Sequence, residues 1–143
     1  MAPAPTKLII ATFLTLDGVM QAPGGQDEDT EGGFANGGWQ MPYFDETVGA
    51  AVAEGMAKSD AFLLGRKTCE IFAGFWPTAT DDFAAVMNGM TKYVASRSLD
   101  TVEWENSTLL EGDVATAVAE LKRQPGRDIS VIGSGGLTPD APW

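Results

Sequence analysis

Histidine is absent from this chain, and cysteine occurs once, at Cys69. Without imidazole there can be no Ser-His-Asp or Cys-His machinery, no zinc-deaminase signature and no imidazole metal ligand. A single cysteine excludes an internal disulfide and any multi-cysteine metal site. Positive charge is scarce as well: 9 Lys and Arg stand against 20 Asp and Glu, a formal net charge of −11. Such an acidic surface offers no basic face to nucleic acid or to an anionic membrane, which leaves a small molecule as the expected partner. No apolar run approaches the roughly 18 residues of a membrane span and no charged-then-apolar leader opens the chain, so a cytoplasmic protein is expected. Chemistry must come from carboxylates, hydroxyls, water or a cofactor. A hydride-donating cofactor suits that poverty best, since it asks the protein only for binding, orientation and electrostatics.

With 143 residues the chain is long enough for one domain with a real core. Met1 to Thr6, rich in Pro and Ala, reads as a disordered leader, residues 7–137 as the domain, and 138–143 as an irregular tail. Lys7 to Phe13 is a near-continuous apolar run of the kind buried on both faces of a sheet. From Asp17 to Met41 the chain is glycine-rich and nearly free of aliphatic residues, with the acidic run Asp27-Glu28-Asp29. A loop this long is functional, or else a solvated acidic insertion.

Helix signals then become regular. Asp45 can cap a helix with Val48, Ala51, Val52 and Met56 on one face; Thr68, Ile71, Phe72 and Phe75 repeat that spacing up to Trp76-Pro77. Asp81 or Asp82 opens a third helix bearing Phe83, Val86, Met87 and Met90, and Asp113 a fourth bearing Val114, Ala117, Val118 and Leu121, stopped by Pro125-Gly126. Cys69 falls in the second helix as a small core side chain. Strands are expected near 61–64, 92–96, 101–104, 108–110 and 129–132. Their alternation with helices predicts an α/β fold with a mainly parallel central sheet.

Three of these strands run into backbone-rich turns: Gly65-Arg66-Lys67-Thr68, Ser96-Arg97, and Gly133-Ser134-Gly135-Gly136-Leu137. Small residues at the carboxyl edge of a parallel sheet let backbone N–H groups approach a phosphate. Arg66 and Arg97 set cations there in an otherwise acidic chain. Each turn also has a plainer structural reading, as a turn cap, a surface ion pair or a tight connection.

In this order and context, the three turns resemble the dihydrofolate reductase fold. Thr15-Leu16-Asp17-Gly18-Val19-Met20 and Phe75-Trp76-Pro77 narrow the resemblance to the dihydrofolate-reductase-like family typified by the reductase domain of the bifunctional riboflavin-synthesis deaminase-reductase, over about Lys7 to Leu137. The resemblance implies a three-layer α/β/α domain that binds NADPH. Gly65, Arg66, Lys67 and Thr68 would hold the pyrophosphate, Ser96 and Arg97 the adenosine 2′-phosphate, and Gly133, Ser134, Gly135, Gly136 and Leu137 the nicotinamide-side phosphate. It further implies hydride transfer to a small heterocyclic or carbonyl substrate in a homodimer or higher homo-oligomer. Asp17 is the candidate for proton delivery, and Trp39, Phe44, Asp45 and Trp76 are candidate substrate contacts. Asp45 is equally explained as an N-cap, Asp17-Gly18 as an ordinary turn pair, and the aromatics as covers over core.

One departure from the family stands out. Its domains continue past the glycine-rich turn with a helix and further strands, whereas Pro139 and Pro142 cannot continue a helix here. The usual C-terminal strands are therefore expected to be missing. The alternative is a nucleotide-binding or oligomeric scaffold module of the same fold without turnover.

Overall fold

The computed structural model describes residues 4–137. The expected tail, with Pro139 and Pro142, and the first three residues of the expected leader lie outside that range. Among the described residues five strands and four α-helices follow in the order β1 (Leu8–Ala11), α1 (Glu46–Ala57), β2 (Ser59–Gly65), α2 (Arg66–Phe75), α3 (Asp82–Gly89), β3 (Thr91–Ala95), β4 (Ser107–Leu109), α4 (Val114–Arg123) and β5 (Asp128–Ile132). The strands pair in the order β1-β5-β2-β3-β4, and every pairing is parallel. This is the α/β, dihydrofolate-reductase-like arrangement, parallel throughout the described residues rather than mainly so.

Local chemistry explains the helix starts. Asp45, Asp81 and Asp113 each accept a backbone N–H three residues on, from Val48, Ala84 and Thr116, all at 2.9 Å. Such caps satisfy donors that the first helical turn leaves orphaned. The exception is α2, whose N-cap is Gly65 and which has no side-chain cap.

Alternation along β2 divides the core between two layers. Phe62 and Leu64, with Val94 of β3, pack against Cys69 of α2, Met87 of α3 and Trp104. Leu63, with Ile129 and Val131 of β5, packs against Val118 and Leu121 of α4. Full burial of a side chain such as Phe62 contributes about 2–3 kcal/mol, which is why β2 anchors the sheet. Ordered packing already begins at Thr6, which is buried and donates its hydroxyl to the Gln124 carbonyl.

Two expectations fail. Residues 101–104 form no strand; their alternating pattern of Val102 and Trp104 instead brings a loop down onto the core, where the buried Trp104 indole donates to Asn88 Oδ1 at 2.8 Å. The apolar run beginning at Lys7 is not buried on both faces. As β1 it lies at the edge of the described sheet, paired to β5 alone, with Ile9 40% and Ile10 50% exposed. In the third helix, Ala84 and Met87 are buried while Val86 is exposed.

The stretch from 17 to 41 is a compact loop with its own bonding. The Trp39 indole donates to the Gln21 carbonyl at 2.8 Å, and the Gln21 amide donates to the carbonyls of Asp29 and Glu31. The loop folds on itself so tightly that a Cβ at Gly37 would lie 2.0 Å from the Gln26 carbonyl oxygen.

Lys92 is fully buried in β3, yet every proton of its ammonium is used. It donates to the carbonyls of Met87, Met90 and Asn88 at 2.7, 2.8 and 3.1 Å, and lies 4.1 Å from the centre of the Trp104 ring. The side chain thus closes the carboxyl end of α3 onto the sheet.

Candidate functional site

Strands β5, β2 and β3 are adjacent and parallel, so the turns that follow them meet at one edge of the sheet. All three turns line a single open cleft of about 2540 Å³, which also reaches Phe44, Trp76 and the uncovered strand β1.

The turns after β2 and β5 are joined directly. Ser134 Oγ accepts the Gly65 N–H at 2.9 Å and donates to the Ile132 carbonyl at 2.9 Å, while Thr68 Oγ1 accepts the Ser134 N–H at 3.0 Å. This geometry requires two successive left-handed residues, Gly133 at φ +55° and Ser134 at φ +57°. A side chain at Gly133 would also press on Thr68, since its Cβ would lie 3.0 Å from Oγ1. Gly135, Gly136 and Leu137 then form a 3-10 turn. The first turn of α2, lacking a side-chain cap, faces this assembly with the positive end of its dipole.

Three cations line the cleft, in three different states. Arg66 is paired with Glu70 of its own helix at 3.0 Å. Lys67 is held by two carboxylates of the long loop, Asp29 at 2.8 Å and Glu31. These hydrogen bonds raise the Lys67 pKa; burial pushes Asp29 up, but Lys67 and the Glu31 N–H bring it below the ordinary carboxylate range. Arg97 is exposed and makes no ion pair among the described residues. Beside it, Ser96 Oγ accepts from the N–H groups of Ser98 and Leu99, fixing the turn that presents the guanidinium.

The remaining candidates divide. Phe44 and Trp76 line the cleft, and the buried Trp76 indole N–H has no partner among the described residues. Trp39, Asp45 and Asp17 are not among the lining residues. Trp39 pins the loop, Asp45 caps α1, and Asp17 sits exposed in a tight turn, accepting the Thr15 hydroxyl at 2.7 Å. That hydrogen bond, and one from its own backbone, hold the Asp17 carboxyl below its ordinary pKa. No group of three or more His, Cys, Asp or Glu side chains able to hold a metal ion occurs among the described residues.

The parallel α/β fold agrees with a family comparison. The model described as the RibD C-terminal domain matches residues 6–140 of the 143. The chain belongs to the RibD C-terminal domain family. No curated protein matches it. Membership makes the chain a reductase-like domain of the riboflavin-pathway type. No helix among the described residues is long and apolar enough to cross a membrane.

Within this RibD C-terminal domain the sequence reading missed Asp29 and Glu31 as neighbours of the turn after β2. An acidic run in a chain with a cationic turn was the available signal, but their contacts to Lys67 span 36 to 38 residues of chain. It also missed Gln40, a buried side chain that lines the cleft and whose Nε2 is buried without a partner among the described residues.

Proposed function

We propose that the chain is an NADPH-dependent reductase of a small heterocyclic or carbonyl substrate. The observation that carries this reading is the join between Gly65 and Ser134 beside an uncapped helix N-terminus, with Arg97, which makes no ion pair among the described residues, one strand away. Backbone N–H groups at a helix start favour a phosphate, and a free guanidinium favours a second one. The residues present fit a dinucleotide with an extra phosphate: Gly65 to Thr68 and Gly133 to Leu137 would take the pyrophosphate and nicotinamide side, Ser96 and Arg97 the 2′-phosphate. When bound, NADPH would supply a hydride; the chain's own task is to hold and orient it.

Phe44 and Trp76 would flank a flat substrate, the Trp76 indole N–H having no partner among the described residues. Asp17, away from the lining and held ionised by Thr15, is a poor acid, so the proton would come from water. The exposed apolar edge of β1 supports assembly as a homo-oligomer. Binding without turnover is the second reading, favoured by the displacement of Asp17 from the cleft lining.

Titration with NADPH and with NADH, followed by nicotinamide fluorescence, tests the cofactor reading. Saturable binding that prefers NADPH is expected. Binding of neither overturns it. Binding without oxidation of NADPH by any heterocyclic or carbonyl candidate would favour the module without turnover.

A further inference from the structure

Lys67 makes ion pairs that differ in kind from the others. Among the described residues the remaining pairs, Lys58–Glu54, Arg66–Glu70 and Arg123–Glu120, join side chains three or four positions apart. Lys67 alone reaches another part of the chain, binding Asp29 Oδ1 at 2.8 Å together with the Glu31 carboxylate. Asp29 is well enclosed, its side chain 16% exposed. Its Oδ1 also accepts the Glu31 N–H at 3.0 Å.

The segment carrying these carboxylates is shaped rather than slack. Glu28 accepts the N–H groups of Gly24 and Gly25 at 3.0 and 2.8 Å, and the Gln21 amide grips the carbonyls of Asp29 and Glu31. Two carboxylates thus neutralise the one lysine of the phosphate turn. An ammonium so engaged has spent its charge, and a phosphate arriving at the start of α2 must compete for it.

We propose that Glu28 to Glu31 form an acidic strap that occupies Lys67 at the phosphate turn, and that an incoming dinucleotide phosphate displaces it. The strap is an autoinhibitory contact. It lowers affinity for the cofactor, and its carboxylates stand at the lysine where phosphate oxygens would go. This inference rests on the cofactor reading given above for the site that it regulates.

Hydrogen exchange on the full-length chain without ligand separates the two. Lys67→Gln and the double variant Asp29→Asn/Glu31→Gln should each raise exchange at the amides of Gly24, Gly25 and Glu31 by about threefold or more, the scale of losing exposed ion pairs. Unchanged exchange in both overturns the strap whether or not NADPH binds. With NADPH, the double variant should bind about 3- to 10-fold tighter than the parent chain. Equal or weaker binding overturns the competition. If neither protein binds NADPH, the cofactor reading fails, and inorganic pyrophosphate decides the strap: faster exchange of those three amides in the parent chain supports displacement, and no change at millimolar pyrophosphate overturns it.

Discussion

Ser134 Oγ accepts the Gly65 N–H at 2.9 Å across 69 residues of chain, so one hydroxyl ties the end of β2 to the end of β5. Ser134→Ala leaves that N–H without its partner and should lower stability by about 1–2 kcal/mol in urea unfolding. Ser134→Gly loses the same bond but relieves the left-handed backbone at φ +57°, so it should cost less than Ser134→Ala. No loss of stability in Ser134→Ala would show that the hydroxyl is not what joins the turns, and a reversed order would show that the left-handed backbone carries no strain.

Gly133 precedes that serine at φ +55° and faces Thr68. Gly133→Ala adds both a left-handed strain and a contact with Oγ1, and should destabilise the domain by about 1–3 kcal/mol. The urea midpoint measures it. Gly136→Ala is the control: a Cβ there meets nothing within 4 Å and the backbone φ is not left-handed, so little change is expected.

Lys92 carries a large pKa displacement: burial brings its ammonium down from 10.5 to about 8. Between those values the unfolded chain binds more protons than the folded one, so this residue's contribution to stability rises with pH. Below pH 8 both states are protonated and the contribution is flat at its minimum. Measured as parent minus Lys92→Met, the stability difference should therefore be level up to about pH 8 and then grow towards pH 10.5 by at most about 3 kcal/mol. Lys92→Met itself should cost about 1–3 kcal/mol at pH 7, because the carbonyls of Met87, Asn88 and Met90 lose their donor. A difference that shrinks with pH would mean that the ammonium is favoured by its carbonyl cage over water.

Arg97 tests cofactor selectivity. A charge-assisted contact to a 2′-phosphate contributes about 1.5–3 kcal/mol, so Arg97→Ala should weaken NADPH binding by about tenfold or more and NADH binding by little. Parallel titrations decide it, and equal losses for both would remove Arg97 from the 2′-phosphate.

What could be read in the sequence follows the range of the forces involved. Asp45, Asp81 and Asp113 were legible as caps because the bond runs only three residues along the chain, and the turns after β2, β3 and β5 were legible because each strand and its turn are contiguous. The place of β1 was not. Leu8 to Ala11 looks the same whether the strand is central or at an edge, since that depends on which strands pair with it. Trp104 misled for a related reason: its alternation with Val102 mimics a strand, but Lys92 and Asn88 draw the indole into the core.

The site was legible to the same extent. Phe44 and Trp76 do reach the cleft, whereas Trp39, Asp45 and Asp17 are engaged by their own neighbourhoods: a loop carbonyl, a helix start and a Thr15 hydroxyl. The Asp29–Lys67 pair could not be foreseen from an acidic run alone, because partner choice there is made by the folded loop.

In the proposed function the turns after β2 and β5 act as one phosphate site. Mapping amide hydrogen exchange with and without saturating NADPH tests it most directly. The account predicts protection at Gly65 to Thr68 and at Gly133 to Leu137 together, with Ser96 and Arg97 protected by NADPH more than by NADH. Protection confined to one turn, or absent from both while NADPH is bound, would contradict it.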